Sequence, residues 1–249
     1  VYTPCTDIFL TRRIICDSLD KKPETVTVEG CFPGDDLDGK LWYPALVAAQ
    51  AAAAANIIQK PVQILYSHQE DSNFSPKRAP ATFRIASSLN TSGNITAIDA
   101  SIDIDMGSYP VGAELILERL FHQLASRYRV PAIQIEGRVI STNTPPLGFF
   151  DGWGDAAANF AVETHFNRIA QITDIDPATF RMNALVRSGK KLGLGGLQRS
   201  APEPTRALEA VIKASDFTRK HAAYELQRKN REKNPVAGEN TRGIGIAYA

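Results

Sequence analysis

The feature that most constrains the fold is a pair of long alternating segments joined by a short turn. Residues 81–89 and 95–105 alternate apolar with polar side chains, and residues 90–94 between them are rich in turn formers. A period of two is typical of a strand with one buried face, and this loop chemistry joins neighbouring strands. The side chains expected to face the core are Ile98, Ala100, Ile102 and Ile104. Those expected on a solvated acidic face are Asp99, Ser101, Asp103 and Asp105.

Helical patterns flank this predicted hairpin on both sides. Thr6 is the expected N-cap of the first helix, and Asp176 caps a helix whose first turn contains Pro177. Further helices are predicted over residues 7–19, 41–59, 114–128, 154–172, 205–214 and 216–233. Shorter strands are predicted over residues 25–28, 62–66, 133–140 and 242–249. The expected class is therefore α+β, with mixed sheets, a long β-hairpin and packed helices.

Composition argues against two classes of partner. The net charge is +1 with no basic stripe, which argues against nucleic acid. The longest apolar run, around residues 51–55, is flanked by polar residues and is too short to span a bilayer. The three cysteines lack metal-ligand spacing and are expected to be reduced, which suits a cytoplasmic protein. The four histidines are likewise scattered, so no metal ligand is predicted.

Residues 141–163 form a second informative segment, which joins a predicted strand to a predicted helix. The segment opens with turn formers at residues 142–146 and continues with small residues around two Phe and Trp153. Small residues let a backbone approach a ligand closely. The segment is therefore predicted to be a ligand-binding loop.

The order and spacing of these landmarks resemble the molybdenum-binding large subunit of the xanthine dehydrogenase and aldehyde oxidase family. The matching segments are 11–15 (TRRII), 67–71 (SHQED), 95–99 (ITAID), 106–109 (MGSY), 117–119 (LER), 128–131 (YRVP), 142–146 (TNTPP), 152–154 (GWG), 160–163 (FAVE) and 242–246 (RGIGI). The resemblance implies hydroxylation of heterocycles or aldehydes by a molybdenum ion on molybdopterin. It also implies FAD and 2Fe-2S clusters on partner domains or subunits.

The first cofactor loop of this family is rich in consecutive glycines, and the corresponding segment here is residues 30–40. The glycines that remain are Gly30, Gly34 and Gly39, and the acidic residues are Asp35, Asp36 and Asp38. Pro33 removes a backbone donor. By resemblance, Gly34 and Asp35 are cofactor-binding positions. Carboxylates repel an anionic cofactor at short range, so this loop is expected to be a poor cradle for it.

The second site matches the loop at residues 151–157. By resemblance, Gly152, Gly154 and Ala157 are cofactor-binding positions, whereas Asp151 and Trp153 belong to the substrate pocket. The family places an Arg where this chain has Asp151, which reverses or removes its contact with substrate. The family's cofactor-holding Gln corresponds to Ala157, which makes no polar contact. Trp153 keeps the family's aromatic stacking position.

Arg119 is a further substrate-pocket residue implied by the resemblance. The alternative is an ordinary helical Arg paired with Glu114, Glu118 or Asp151. If Arg119 and Asp151 both point inward, they are expected to neutralise each other. The family's catalytic glutamate lies in the C-terminal half of the subunit, so no catalytic residue is predicted among these 249 residues.

The sequence predicts two regions, a molybdopterin-binding-like α+β domain over 1–191 and a helical connecting arm over 192–249. The arm is expected to lead into a missing C-terminal half. The expected function is that of a fragment of a molybdenum hydroxylase-like oxidoreductase subunit, inactive as this chain alone. The alternative is a non-catalytic paralogue that serves as an assembly partner or small-molecule binding module. The expected partners are the C-terminal half and iron–sulfur and FAD subunits, with a dimer left open.

Overall fold

The structure, a computed structural model, describes residues 1–34, 39–148, 150–186, 204–233 and 242–248. The strands in these ranges are β1 (Tyr2–Thr3), β2 (Glu29–Gly30), β3 (Ala81–Leu89), β4 (Ile95–Asp105) and β5 (Ala132–Ile140). The helices are α1 (Ile8–Leu19), α2 (Tyr43–Ile58), α3 (His68–Phe74), α4 (Ala113–Ser126), α5 (Asp155–Ile172), α6 (Pro177–Ala184), α7 (Pro204–Ser215) and α8 (Phe217–Lys233). Helices and strands of these lengths confirm the α+β class.

The chain divides into two compact units. Unit 1 comprises Val1–Thr82, Asp103–Arg119 and Gly137–Gly154, and unit 2 comprises Phe83–Ile102, Leu120–Glu136 and Asp155–Ala249. The predicted boundary between 191 and 192 lies in a segment outside the described residues. The division into a domain at 1–191 and an arm at 192–249 therefore stays a prediction.

The long hairpin is confirmed with the predicted bounds. The backbone N–H of Asn90 donates to the carbonyl of Asn94 at 3.0 Å, and Gly93 supplies a left-handed turn residue with φ 77°. β4 is the central strand of a three-stranded sheet in the order β3-β4-β5. The predicted core face is buried, with exposures of 4% or less for Ile98, Ala100, Ile102 and Ile104. Hydrophobic alternation therefore set both the position and the register of this hairpin.

The acidic row on the opposite face of β4 is partly solvated, and none of its four residues is buried. Asp99 is exposed. Asp103 accepts two hydrogen bonds from the Arg138 guanidinium on β5, at 2.7 and 2.8 Å. Asp105 accepts from the Gly107 N–H at 2.9 Å and from the Thr142 hydroxyl at 2.7 Å. These last two carboxylates tie β4 to β5 and to the turns that follow both strands.

The core of unit 1 forms where α1 packs on α2. Ile15 of α1 is buried with Ala48 and Ala49 of α2, whose small side chains allow close approach of the two helices. The N-cap of α1 is Asp7 rather than the predicted Thr6. The Asp7 carboxylate accepts from the backbone N–H groups of Phe9 and Leu10, at 2.9 and 2.8 Å. A carboxylate at this position also favours the positive end of the helix dipole.

Three short strand predictions were wrong in the described part of the chain. Residue 25 ends a 3-10 helix at Pro23–Thr25, residues 26–28 are not assigned to a strand, and strand pairing begins only at β2, which runs parallel to β1. Residues 62–66 and 242–248 are not assigned to a strand. A strand needs a partner strand as well as a β-type sequence. An alternating pattern shows only that the sequence is β-type. α3 was not predicted, although a capping box between Ser67 and Glu70 marks its start.

The core of unit 2 contains a buried charged group. Arg181 on α6 is 0% exposed, and its guanidinium donates to the Glu163 carboxylate at 2.8 Å and to the Asn167 amide oxygen at 2.9 Å. The Tyr128 hydroxyl donates to the other Glu163 oxygen at 2.5 Å. Burial, followed by the Glu163 charge, raises the pKa of Tyr128 well above its ordinary value. Tyr128 therefore remains a neutral donor in this network.

The prediction of Asp176 as a helix cap is confirmed by its bond to the Thr179 N–H at 2.9 Å, at the start of α6. The two polar helices predicted after this point correspond to α7 and α8. Phe217, the first residue of α8, is 2% exposed and stacks on His221 at a centroid distance of 5.2 Å. Among the described helices, none has both the length and the apolar character needed to cross a bilayer.

His165 gives unit 2 a pH-sensitive contact. Its Nε2 lies 2.7 Å from the Ser87 hydroxyl, and burial lowers the His165 pKa below its ordinary value of 6.5. The folded state therefore takes up a proton less readily than the unfolded chain. The stability that this site contributes is full above the unfolded pKa and is lost as the pH falls through the folded pKa.

We expect this stability loss to disappear when His165 is replaced by Gln, which still bonds Ser87 but does not titrate. Urea unfolding at about pH 7.5 and about pH 5.5 brackets the unfolded His pKa and measures the effect. The native chain should lose more stability between these two pH values than His165→Gln does. His68→Gln, an exposed position on α3, is the matched control and should behave like the native chain. Equal pH dependence in the native chain and His165→Gln would contradict the assignment.

Candidate functional site

The loop of interest begins by docking on the turn that ends β4. Gly107, with φ 70°, leaves no room for a side chain, because an added Cβ would lie 2.2 Å from the Pro145 carbonyl oxygen. The Thr142 N–H donates to the Gly107 carbonyl at 3.0 Å, and the Ser108 N–H donates to the Thr144 carbonyl at 3.0 Å. The turn-forming residues 142–146 are therefore held by backbone contacts that only glycine at position 107 permits.

The next fixed point of the loop is Gly148. Its N–H donates to the Lys77 carbonyl at 2.9 Å, and its backbone forms an isolated parallel bridge with Arg78. An added Cβ would approach the Met106 Cε to 3.0 Å and the Ile116 Cδ1 to 3.2 Å, and its φ of 137° is unfavourable for other residues. Gly148 therefore fixes the start of the central segment against two neighbouring parts of unit 1. These parts are the backbone of residues 77–78 and the side chains of Met106 and Ile116.

The centre of the loop is an unusual backbone run. Gly152, Trp153 and Gly154 have φ values of 71°, 43° and 133°, so three consecutive residues lie in the positive-φ region that is open mainly to glycine. Trp153 takes on strain there, and its N–H closes a turn on the Phe150 carbonyl at 2.9 Å. Glycines on both sides of Trp153 leave room for a ligand to approach this backbone closely. The Trp153 side chain is 36% exposed.

Arg78 contacts the same loop through its side chain. The sequence did not predict this residue as part of the site. Its Nη1 donates to the Asp151 carbonyl at 3.0 Å, and its guanidinium lies 5.8 Å from the centre of the Phe150 ring. These residues are 73 positions apart in the sequence. The only local signal is an arginine just before a predicted strand, which does not identify a partner.

The predicted pocket residues Asp151 and Trp153 lie in unit 1 together with the predicted cofactor positions Gly152 and Gly154. Asp151, Gly152, Trp153 and Gly154 are consecutive, and the Asp151 side chain is exposed while its carbonyl faces Arg78. Arg119 lies on the part of α4 that belongs to unit 1, and its side chain is exposed. Nothing in these positions tests the pairing of Arg119 with Asp151, which stays a prediction.

The predicted cofactor positions are distributed between the two units. Gly34 lies in unit 1 with φ 70°, beside the Lys40 ammonium, which donates to the Pro33 carbonyl. Ala157 is a half-buried residue of α5 in unit 2. Asp35 lies outside the described residues, as do its acidic neighbours at 36 and 38. In the part of the chain that the structure describes, no group of three His, Cys, Asp or Glu could hold a metal ion.

Unit 1 also contains a cleft of about 1080 Å³. α2 contributes an apolar wall of small residues, and residues 61–66 contribute a second wall. The polar groups that line it include Lys40, Tyr43, Asp71 and Lys77, and Phe150 also lines it. Burial, followed by the neighbouring Tyr66, raises the Tyr43 pKa above its ordinary value. A volume of this size with a few polar groups is typical of a small-molecule site.

The chain belongs to the molybdopterin cofactor-binding domain family, whose model matches residues 1–185. It is 32% identical to a probable xanthine dehydrogenase subunit of Bacillus subtilis (strain 168), over 74% of this chain and 24% of that protein. It is 29% identical to aldehyde oxidase 4 of Cavia porcellus, over 86% of this chain and 16% of that protein. The chain thus spans less than a quarter of the length of these two curated relatives.

Solved structures agree in fold. CO dehydrogenase from Oligotropha carboxidovorans matches 94% of this chain and 30% of its own, with a TM-score of 0.80 and 14% identity. Quinoline 2-oxidoreductase from Pseudomonas putida 86 matches 91% of this chain and 30% of its own, with a TM-score of 0.79 and 18% identity. These matches confirm the expected molybdenum hydroxylase-like fold. The family model confirms the expected membership of the molybdopterin-binding family.

The backbone of the loop at residues 150–157 suits the family's cofactor, but its side chains do not. The positive-φ run at Gly152–Gly154, with glycine at both ends, allows the close backbone approach that a cofactor needs. The side chains of residues 150–157, however, include two carboxylates, Asp151 and Asp155, and neither an amide nor a cation. Carboxylates near phosphate and oxo groups cost electrostatic energy, and Ala157 makes no polar bond that offsets it. The loop's own side chains therefore do not supply donors for an anionic molybdenum pterin, and the cation that contacts the loop, Arg78, comes from outside it.

Proposed function

We propose that this chain forms the substrate-loop region of a molybdenum hydroxylase-like oxidoreductase subunit and that, by itself, it neither retains molybdopterin nor turns over. The observation that carries the proposal is the combination at residues 151–157. The backbone run that a close ligand needs is present in Gly152, Trp153 and Gly154. By resemblance, Asp151 stands in place of the family's substrate-anchoring Arg, and Ala157 stands in place of its cofactor-holding Gln.

In this proposal each pocket residue acts through its own chemistry. Trp153 offers an exposed aromatic face on which a planar heterocycle stacks. Asp151 places an exposed negative charge two residues away, which favours cationic rings over anionic ones. Arg119 contributes a positive charge from α4 if it faces the same pocket. When bound in a complete subunit, the cofactor supplies the oxygen transfer, and no described residue of this chain is assigned that chemistry.

The wider assembly is part of the same proposal. The C-terminal half of the large subunit would complete the site, and partner domains or subunits carrying 2Fe-2S clusters and FAD would remove the electrons. The length of the relatives supports this arrangement, because this chain corresponds to 16% of one and 24% of another. A cytoplasmic location and a dimer are compatible with the proposal and are not required by it.

A charge-matched pair of pyridines tests the pocket directly. In a Trp42→Phe background, 1-methylnicotinamide, a cation, and nicotinate, an anion, are each titrated while Trp153 fluorescence is recorded. We expect the cation to bind roughly two- to five-fold more tightly, the range for one exposed charge pair. Asp151→Asn should remove this preference, whereas Asp99→Asn, an exposed carboxylate on β4, should keep it. A preference for nicotinate in the native chain would contradict the assignment of Asp151.

A small-molecule binding module is the second candidate, and the cleft along α2 favours it. Its apolar wall includes Ala51, where a larger side chain would occupy the space. The same titration separates the candidates. Quenching that is lost in Ala51→Phe, with the charge preference unchanged in Asp151→Asn, supports the cleft. Quenching that is kept in Ala51→Phe, with the charge preference lost in Asp151→Asn, supports the loop. A non-catalytic assembly partner would show neither response.

A further inference from the structure

The loop that carries Trp153 needs an external support, because its backbone is strained. A non-glycine residue with φ 43° between two glycines is not held by local sequence preference. The turn bond from the Trp153 N–H to the Phe150 carbonyl closes the loop but does not attach it to the rest of unit 1. Attachment must come from residues outside the loop.

Arg78 supplies such an attachment at two points. Its backbone bridges Gly148, where the loop begins, next to the bond from the Gly148 N–H to the Lys77 carbonyl. Its guanidinium then reaches past the Phe150 ring to the Asp151 carbonyl at 3.0 Å. Arg78 thus contacts the loop at two points before Gly152, through its backbone at Gly148 and through its side chain at Asp151.

The chemistry of these contacts is specific to arginine. A planar guanidinium can stack on an aromatic ring while an N–H in its own plane donates to a carbonyl, which a lysine ammonium does not reproduce. The acceptor is the backbone of Asp151, not its carboxylate, so this contact is independent of the side chain that selects ligand charge.

We propose that Arg78 is the positioning residue of the Trp153 loop. It holds the carbonyl of Asp151 and the ring of Phe150, and so fixes the left-handed run that presents Trp153. The importance of Arg78 for ligand binding rests on the proposed function. The effect of Arg78 on the conformation of the loop does not.

The experiment measures the order of Trp153 in the full chain, with Trp42→Phe as background. Acrylamide quenching and steady-state anisotropy are recorded for the native residue and for Arg78→Lys, Arg78→Gln and Arg78→Ala. We expect quenching to rise and anisotropy to fall in the order Lys, Gln, Ala, with lysine restoring part of the native signal. Phe150→Leu, which removes only the ring, should give an intermediate change. Arg13→Ala, at a side chain 81% exposed on α1, is the matched control and should change neither signal.

Far-UV circular dichroism and the thermal midpoint separate a local effect from loss of folding. If Arg78→Ala does not fold, Arg78→Gln and Phe150→Leu decide the matter. Native quenching and anisotropy in folded Arg78→Gln and Phe150→Leu would overturn the proposal. Pyridine titration separates the role of Arg78 from the proposed function. If Trp153 becomes mobile in the Arg78 variants but the native chain binds neither pyridine, the role of Arg78 is supported and the proposed function is contradicted.

Discussion

Replacing Arg181 with Met is expected to destabilise the folded chain by about 3–5 kcal/mol, the range for removing one partner of a buried ion pair. Glu163 is 7% exposed, and after the substitution the Tyr128 hydroxyl is the one side-chain donor left to its carboxylate among the described residues. It also leaves the Asn167 oxygen without its Arg181 donor. Urea unfolding followed by far-UV circular dichroism measures the change.

Two further variants show whether the cost comes from the unpaired charge. Arg181→Met combined with Glu163→Gln removes both charges and should recover part of the stability lost in the single variant. Arg13→Met removes one partner of an exposed pair with Asp17 and should cost no more than about 1 kcal/mol. Arg181→Met and Arg13→Met of equal stability would show that the buried network does not hold unit 2 together.

Replacing Gly107 with Ala is expected to destabilise the chain by roughly 2–4 kcal/mol, because steric overlap adds to the cost of a left-handed alanine. The new Cβ would lie 2.2 Å from the Pro145 carbonyl oxygen, which belongs to the backbone and has little freedom to move. The hydrogen bonds between this turn and residues 142–146 would be strained at the same time. Thermal unfolding of the two chains measures the effect.

Gly243 provides a matched control for this substitution. An added Cβ there meets no atom within 4 Å. Gly243→Ala is therefore expected to change stability by less than about 0.5 kcal/mol, as is usual for exposed positions. A thermal midpoint for Gly107→Ala as high as that of Gly243→Ala would mean that the 142–146 segment relaxes away from the turn without cost.

The sequence predicted best those elements that local pattern determines. The hairpin of β3 and β4 was placed with its bounds and its buried face, because alternation and turn chemistry act over neighbouring residues. The Ala-rich α2 and the cap of α6 followed from composition and from Asp176. Where two adjacent residues can both cap a helix, as Thr6 and Asp7 can, the pattern does not choose between them.

The features that escaped prediction depend on contacts distant in sequence. Arg78 reaches a carbonyl 73 residues away, and Arg181 pairs with a carboxylate 18 residues away. Neither arginine is distinguished by its neighbours in the chain. The segment at 62–66 has a strand-like sequence but no assigned strand partner among the described residues, and partner availability is not encoded locally. The loop glycines were recognised as a ligand-binding pattern, but the strain at Trp153 required the backbone angles.

Molybdenum and pterin analysis of the full chain, purified from a molybdenum-replete host, tests the central claim most directly. Metal is measured by mass spectrometry and pterin by fluorescence after oxidation, both against protein concentration. Because Asp151 stands where the family has an Arg, and Ala157 where it has a Gln, we predict molybdenum and pterin at background levels. One molybdenum and one pterin per chain would contradict the claim that this chain alone does not retain the cofactor.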